Sequence, residues 1–198
     1  MLGVYIHIPF CKSICSYCDF CKMYYNKDYA LKYLLILEKE INSRYKGELI
    51  DSLYIGGGTP TVLDSELLIL LMKICSRFKF KKNYEFTIES NIESINEEKL
   101  SVLKKNKVNR ISFGVESFDN NILRILGRSH DKKMIYDKIN LTKKYFDNIN
   151  IDLIYGITND KKKVLEDIDN AINLDIKHIS CYSLILEDHT TLKNNNYK

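Results

Sequence analysis

The chain has 198 residues, of which 45% are hydrophobic and 28% are charged, and its formal net charge is +4 at pH 7. These values are typical of one globular domain with a hydrophobic core and exclude a disordered chain. The basic residues are scattered along the sequence, which argues against a nucleic-acid-binding surface. No segment resembles a transmembrane helix or a secretory signal sequence, so we expect a soluble protein in the reducing cytoplasm.

The apolar patterns predict strands that alternate with helices. The predicted elements are a strand over 3–8, a helix over 28–45, a strand around 53–55, a helix from Asp64 to about Phe78, a strand over 84–89, a helix capped at Asn96, a strand over 110–115, a short helix ending at Leu126, a helix from Asp131, a strand over 150–155, a helix over 162–173 and a strand over 178–184. This alternation is typical of parallel βαβ units. We therefore predict an α/β fold in a single domain over 1–198, an incomplete TIM-like barrel of six (β/α) units with parallel strands.

The predicted first helix illustrates how these assignments are made. Asp28 is a favourable N-cap residue, and it is the predicted start of this helix. Leu31, Leu34, Leu35 and Ile41 recur at helical spacing, so we expect them to form the buried face.

Cysteines are concentrated in one short segment after the first strand. Cys11, Cys15 and Cys18 are spaced by four and three residues, so their thiolates can converge on one inorganic centre. A disulfide framework is not indicated, because six cysteines are too few for a disulfide-dense domain of this length. A structural zinc site usually combines two C-x-x-C pairs separated by a longer span, and no second pair follows downstream. An iron–sulfur cluster with one open iron is the preferred interpretation, and a closed site with Cys21 as a fourth ligand is the alternative.

Acidic residues mark the ends of three predicted strands. Glu89 and Glu116 follow or end their strands, and Asp152 lies within the fifth strand. In βα barrels, the residues at the carboxyl ends of the strands share one mouth, where the chemistry takes place. The cysteine segment follows the first strand and the glycine run 56–58 follows the second, so we expect all of them to meet there.

Several segments together resemble one known family. Cys-x-x-x-Cys-x-aromatic-Cys after a first strand is similar to the motif of the radical S-adenosylmethionine superfamily. Within that superfamily, the chain resembles the family of oxygen-independent coproporphyrinogen III oxidase and the related heme chaperone. The resemblance rests on the segments 5–11, 56–60, 110–118, 127–130, 151–156 and 178–184.

The resemblance implies a set of cofactors and ligands. It implies a [4Fe-4S] cluster on Cys11, Cys15 and Cys18, with S-adenosylmethionine on the open iron. The residues implied to bind S-adenosylmethionine are Tyr5, Tyr17, Gly57, Gly58, Thr59, Glu89, Glu116, Arg128 and Asp152. In this set, the backbone of the segment 57–59 contacts the methionine end of the cofactor, and Glu89 accepts hydrogen bonds from the ribose. Arg128 donates to a carboxylate, and Tyr17 packs near the adenine. Asp152 completes the contacts with the ribose or the amino-acid part. The implied partners are a porphyrin or heme, an electron donor such as flavodoxin or ferredoxin, and a heme-acceptor protein.

Details of the sequence distinguish the branches of the family. The resemblance implies that the oxidase carries a further cysteine at the position where this chain has Phe20. It also implies that the oxidase has a long N-terminal extension before its cysteines. Phe20 and the early position of Cys11 favour the chaperone branch. Glu116 stands where the family usually has Gln. The family's C-terminal domain, which holds the chaperone's heme-binding motif, is absent from this sequence, so an inactive truncated core is a further alternative.

Overall fold

A six-stranded parallel sheet is the centre of the computed structural model, which describes residues 1–195. The strands of the chain are β1 (Gly3–Ile8), β2 (Phe10–Cys11), β3 (Met23–Tyr24), β4 (Leu49–Gly57), β5 (Lys79–Asn91), β6 (Arg110–Glu116), β7 (Ile149–Tyr155) and β8 (His178–Ser183). The large sheet has the order β1-β4-β5-β6-β7-β8, and the short strands β2 and β3 pair with each other. Every pairing in the large sheet is parallel. The predicted α/β fold, an incomplete TIM-like barrel, is confirmed.

Six helices lie between the strands of the large sheet, and a seventh described helix follows β8. They are α1 (Lys27–Arg44), α2 (Ser65–Cys75), α3 (Glu97–Lys105), α4 (Asn120–Ile125), α5 (Lys132–Lys143), α6 (Lys161–Asn173) and α7 (Thr191–Asn194). None of the helices within residues 1–195 is both long enough and apolar enough to cross a membrane.

The predicted caps Asp64 and Asn96 and the predicted helix start at Asp131 are confirmed. All three side chains accept hydrogen bonds from first-turn amides, those of α2, α3 and α5. These bonds satisfy backbone donors that have no partner inside the helix.

The start of α1 was predicted wrongly. Asn26, not Asp28, is its N-cap, and the Asn26 side chain accepts from the Tyr29 amide at 3.0 Å. Asp28 instead lies in the first turn. The buried face is formed by Ala30, Leu34 and Ile41, whereas the predicted core residues Leu31 and Leu35 are exposed.

One hydrophobic core fills the space between the sheet and its helices. It includes Leu53 and Ile55 of β4, Ile88 of β5 and Leu68 and Leu71 of α2, all of them fully buried. Alternate residues of each strand face this core, because side chains along a strand alternate between two faces. Cys75 is buried in the same core, as its position on the apolar face of α2 predicts.

The other face of the sheet carries polar side chains in rows that the parallel register creates. One row follows the paired residues Tyr5, Tyr54, Thr87 and Arg110, a second follows Glu89, Ser112, Asn150 and His178, and a third follows Asn91, Gly114, Asp152 and Ser180. Residues far apart in sequence thereby become neighbours, and this face carries the candidate sites.

Candidate cofactor-binding site

A cavity of about 140 Å³ lies where the cysteine segment covers the carboxyl ends of the strands. It contains every predicted site residue except Tyr5. The cavity is lined by Cys11, Ser13, Cys15, Tyr17, Cys18, Phe20, Lys22, Gly57, Gly58, Thr59, Glu89, Ser90, Asn91, Ser112, Gly114, Glu116, Arg128 and Asp152. Eleven of the twelve predicted site residues therefore line one cavity, although they are distributed over five strands and the loops that follow strands and helices.

The cysteine segment brings three thiols to this cavity. Cys11 is buried and lies in β2, while Cys15 and Cys18 are partly buried in the loop that follows. Burial raises the pKa of the Cys11 thiol and that of the Cys18 thiol, because it removes the solvent that stabilises a thiolate. Cys21 is exposed and does not line the cavity.

The thiols do not form the close group that a single metal ion would require. In the part of the chain that the structure describes, no three His, Cys, Asp or Glu side chains are arranged to hold one ion. In a cubane cluster each thiolate bonds a different iron, so the sulfur atoms surround a larger object than one ion. Three thiols that line one cavity fit that donor set, since iron–sulfur clusters are held by Cys thiolates.

The glycine run provides a wall of backbone atoms. A Cβ atom on Gly58 would lie 2.7 Å from the Phe10 carbonyl oxygen and 2.9 Å from Cys11 Sγ, so no larger residue fits there. Gly57 has φ of +114°, which L side chains rarely adopt. The amides of Gly58 and Thr59 donate to the carbonyls of Ile8 and Phe10, both at 2.8 Å. These contacts hold the run against the cysteine segment and occupy the amides of Gly58 and Thr59.

Glu89 is fixed at the end of β5 by two donors. The Tyr54 hydroxyl donates to Glu89 Oε1 at 2.8 Å, and the Gly57 amide donates to Oε2 at 3.0 Å. Burial raises the pKa of the Glu89 carboxyl, although the hydrogen bonds from Tyr54 and Gly57 oppose that shift. A Cβ atom on Gly56 would lie 2.8 Å from this carboxyl group, so the glycine makes room for it.

Arg128 crosses the cavity and meets the cysteine segment. Its guanidinium donates to Cys15 Sγ at 3.2 Å, to Asn91 Oδ1 at 3.0 Å and to the Gly114 carbonyl. Its Nε atom is buried and has no hydrogen-bond partner within residues 1–195. A buried donor without a partner is costly, so the site is suited to an anionic group that accepts from this side chain.

Glu116 stands opposite Arg128 in a strained conformation. Its φ of +68° is unusual for a residue with a Cβ, and the register of β6 with β7 shifts between Gly114 and Glu116. The carboxylate lies 3.9 Å from Arg128. Burial raises the pKa of the Glu116 carboxyl, while the charge of Arg128 and a hydrogen bond from Tyr17 act against that rise. The carboxyl group is thus held inside the cavity wall by a cation and a phenol.

Asp152 completes the opposite wall. Its two carboxylate oxygens accept from Asn150 Nδ2 at 2.8 Å and from the Ser112 hydroxyl at 3.3 Å. Both donors lie in the second row of the polar face. Asp152 is therefore oriented by its neighbours on β6 and β7.

Tyr5 lies outside the cavity. Its ring stacks on Tyr54 with centroids 6.0 Å apart, and its hydroxyl lies 3.2 Å from His7 Nδ1. Tyr5 is separated from the cavity because it occupies the first row, whereas Glu89 and Asp152 occupy the second and third.

Asn91 is a site residue that the sequence analysis missed. It accepts from Arg128, and its Nδ2 donates to the Thr59 hydroxyl at 3.0 Å. It joins the glycine run to the arginine. The alternation of side chains along a strand offered a signal, since Asn91 follows Glu89 by two residues and therefore shares its face.

Comparison with known proteins identifies the family of the chain. The sequence pattern of the Radical SAM superfamily matches residues 5–171. The chain is 40% identical over 195 residues to a protein of Lactococcus lactis subsp. lactis described as heme chaperone HemW, an alignment that covers 97% of this chain and 51% of the relative. It is 35% identical over 162 residues to the oxygen-independent coproporphyrinogen III oxidase of Escherichia coli, covering 79% of this chain and 35% of that one.

A solved structure agrees with the sequence comparisons. The coproporphyrinogen III oxidase HemN of Escherichia coli, described as a radical SAM enzyme, superposes with a TM-score of 0.88 and 29% identity, covering 100% of this chain and 47% of that one. The chain thus spans about half the length of the heme chaperone and of this structure. With a matching superfamily pattern over most of its length and the same fold as a solved member, this chain belongs to the radical SAM superfamily.

Proposed function

We propose that this chain binds a [4Fe-4S] cluster through Cys11, Cys15 and Cys18, and S-adenosylmethionine beside it. The observation that carries the proposal is the cavity that joins three thiols, the glycine run and Arg128. When bound, the reduced cluster supplies the electron that cleaves the sulfonium of S-adenosylmethionine.

The residues of the chain bind and orient the cofactor in this proposal. Arg128 donates to the methionine carboxylate, which satisfies its partnerless Nε. The backbone of Gly57, Gly58 and Thr59 contacts the methionine end, because only glycine lets a ligand approach so closely. Glu89 accepts from the ribose hydroxyls.

The remaining wall residues orient the rest of the cofactor. The Tyr17 ring lies against the adenine. Asp152 and Glu116 provide acceptors for the ribose or amino group, since a carboxylate accepts hydrogen bonds but cannot donate them.

For the whole protein, we propose a role in heme or porphyrin metabolism of the heme-chaperone type. The support is that the chain is more similar to the heme chaperone than to the oxidase. Its sequence identity with the heme chaperone is higher, and the alignment covers more of this chain. Phe20 lines the cavity at the position where the oxidase branch is expected to carry a thiol. The oxidase is the second candidate, because the solved oxidase HemN shares the fold over all of this chain.

The proposal includes partners and a compartment. The expected electron donor is a flavodoxin or ferredoxin, and a heme-acceptor protein is the expected recipient. Heme itself would bind in the C-terminal domain that the resemblance implies for the family. The cysteines are all unpaired in the structure, which suits a reducing compartment such as the cytoplasm.

Anaerobic reconstitution with iron and sulfide tests the cluster. We expect one four-iron cluster per chain, measured from its absorbance and its iron and sulfide content. Cys11→Ala, Cys15→Ala and Cys18→Ala should each abolish it. The controls Cys75→Ala and Cys181→Ala should retain it, because neither thiol lines the cavity. Loss of the cluster in Cys21→Ala would contradict an open iron and favour four thiolate ligands.

The two candidate functions differ in their products. Reduced protein incubated with S-adenosylmethionine and coproporphyrinogen III should form 5′-deoxyadenosine without protoporphyrinogen IX if the chain is chaperone-like. Steady formation of protoporphyrinogen IX would assign it to the oxidase class.

A further inference from the structure

Glu116 lies at the centre of a strained three-residue turn at the end of β6. The Ser117 amide donates to the Val115 carbonyl at 2.9 Å, and Glu116 between them has φ of +68°. A turn closed by such a bond, with a positive φ at its central residue, is the rare and strained form of the γ-turn. Strain of this kind persists only where the surrounding structure holds it. The pairing of β6 with β7 shifts register at this point, so we looked for contacts from outside the sheet.

Asp167 of α6 makes such contacts with the two residues that follow Glu116. One oxygen of its carboxyl group accepts from the Ser117 hydroxyl at 2.7 Å, and the other accepts from the Phe118 amide at 2.7 Å. Asp167 is 7% exposed and Ser117 is fully buried. Because a carboxylate offers two acceptor oxygens, it satisfies both buried donors at once and fixes their relative position.

A second contact joins α6 to the same connection. The Asp119 amide donates to the Ser117 hydroxyl at 3.0 Å, and the Asp119 side chain accepts from Lys163 Nζ at 2.6 Å. The Asp119 side chain also caps α4. The side chains of Lys163 and Asp119 are 31% and 25% exposed, so this ion pair contributes less than a buried contact does. Asp167 is therefore the principal link between α6 and the strained turn.

The strained turn determines where the Glu116 carboxyl group lies. A Cβ atom on Gly114 would lie 2.7 Å from Glu116 Oε1, so the side chain extends back over the preceding part of β6. In this position the carboxyl group lines the cofactor cavity, 3.9 Å from Arg128, and accepts a hydrogen bond from Tyr17. Asp167 does not line that cavity. Any influence of Asp167 on the cofactor site must therefore pass through the turn.

We infer that Asp167 is a positioning residue of the cofactor site. It holds the strained turn after β6 and thereby fixes the Glu116 carboxyl group beside Arg128 and Tyr17. The inference rests on the proposed function in one respect, the contact of Glu116 with S-adenosylmethionine. The role of Asp167 in the turn rests on the geometry of the chain alone, so the two can be tested separately.

Unfolding in urea tests the role of Asp167 in the turn. Glu116→Gly and Glu116→Ala both remove the carboxyl group, but only glycine adopts a positive φ without strain. With Asp167 present, Glu116→Gly should therefore unfold at a higher urea concentration than Glu116→Ala. When Asp167→Ala is added to each, the turn should relax and this difference should disappear or reverse, because glycine then only increases the entropy of the unfolded chain.

Two results of the unfolding experiment would overturn the inference. The first is a difference between Glu116→Gly and Glu116→Ala that is the same with and without Asp167, because the sheet alone would then hold the turn. A general loss of stability in Asp167→Ala would lower all midpoints and leave that difference unchanged. The second is the absence of any difference while Asp167 is present.

The S-adenosylmethionine affinity of the reconstituted protein tests the effect on the site. Asp167→Ala should weaken binding by about fivefold, the effect of losing about one hydrogen bond. In the Glu116→Ala background, Asp167→Ala should change the affinity by less than about twofold, because no carboxyl group is left to position. Equal weakening in both backgrounds, or no weakening in either, would contradict a role that acts through Glu116.

Two further variants and the wild type separate the possible failures. Asp167→Asn keeps the volume of the side chain but has one acceptor oxygen instead of two, so it should show the same changes to a smaller degree if Asp167→Ala does not fold. Asp169→Ala, at an exposed position of the same helix, should change neither the urea comparison nor the affinity. Failure of reconstituted wild type to bind S-adenosylmethionine would overturn the proposed function, whereas the urea comparison would still decide whether Asp167 holds the turn.

Discussion

At the scale of single residues, the site combines buried charges with partners that fix them. Glu89 accepts from Tyr54 and Gly57, and Arg128 donates to Cys15 and Asn91. Each group can still form further hydrogen bonds, and this is clearest for the Nε atom of Arg128, which has no partner within residues 1–195. Such pre-oriented polar groups bind a ligand with little reorganisation.

The first prediction concerns Glu89. Glu89→Gln should weaken S-adenosylmethionine binding by about 1–3 kcal/mol, because an amide replaces a charged acceptor. Anaerobic calorimetric titration of the reconstituted protein measures the change. Glu85→Gln is the matched control, since Glu85 lies on the same strand but outside the cofactor cavity. Unchanged affinity in Glu89→Gln would mean that this carboxylate does not contact the cofactor.

Glu93 provides a prediction about pH. Burial acts to raise the pKa of its carboxyl, but the hydrogen bond from His130 and the charge of Arg128 outweigh it and lower the pKa to about 2. A carboxyl with a depressed folded pKa stabilises the fold above its unfolded pKa and loses that contribution as the pH falls. Wild type should therefore be more stable than Glu93→Gln at pH 6.

The difference between the two proteins should disappear as the pH falls from the ordinary carboxyl range, about 4.3, toward about 2. Urea unfolding at several pH values measures it. A difference that stays constant across this range would contradict the proposed ionisation of Glu93.

The residue scale also shows what the sequence predicted and what it did not. The spacing of the cysteines, the position of Glu89 at the end of its predicted strand and that of Asp152 within the next-but-one strand were sufficient to place these residues at one mouth. The contacts of Asn91 were not predicted, because an isolated Asn carries no motif and its role depends on two partners from other segments. The strained φ of Glu116 also depends on the register shift between β6 and β7, which no local pattern encodes.

At the scale of elements, apolar alternation identified the six principal strands but not their full lengths. β5 begins at Lys79, several residues before the predicted start at Tyr84. Its first half is rich in lysine and largely exposed, so it lacks the alternation of a half-buried strand. β2, β3 and α7 were missed because two to four residues are too few to show a period.

The N-cap of α1, which is Asn26 and not the predicted Asp28, leads to a prediction about the stability of the protein. Asn26→Ala should destabilise the protein by about 1 kcal/mol, the usual effect of removing an N-cap side chain. Asp28→Ala should have a smaller effect, since Asp28 interacts only with the helix dipole in the first turn. Chemical denaturation of both variants measures the two changes. If Asp28→Ala were the more damaging of the two, the cap assigned to Asn26 would be wrong.

At the scale of the whole molecule, the cysteine segment is held by two elements from the second half of the chain. The Ser16 amide donates to the Leu126 carbonyl at 3.0 Å, and its hydroxyl donates to the Ile125 carbonyl at 2.7 Å, both at the end of α4. On the other side, the Leu192 amide of α7 donates to the Ser16 carbonyl at 2.8 Å. A small hydrophobic cluster, separate from the main core, joins Ile122, Leu126, Ile157 and Leu192 at this place.

This arrangement makes α7 a support of the cysteine segment. Leu192→Ala should loosen the segment over 12–18 and increase its amide hydrogen exchange. The main core should be little affected, because Leu192 packs in the separate cluster. Leu-to-Ala changes at buried sites cost about 2–5 kcal/mol, and here we expect that cost to appear as local opening. The reconstituted variant should also lose iron faster than wild type under a chelator.

Leu165→Ala is the matched control, because Leu165 lies on α6 and is 61% exposed. It should change neither the exchange of the cysteine segment nor the retention of iron. If Leu192→Ala lowered the stability of the whole chain without a selective increase of exchange over 12–18, α7 would be part of the general core. A selective increase, together with faster loss of iron, would mean that the last described helix controls how long the cluster is retained at the other end of the sequence.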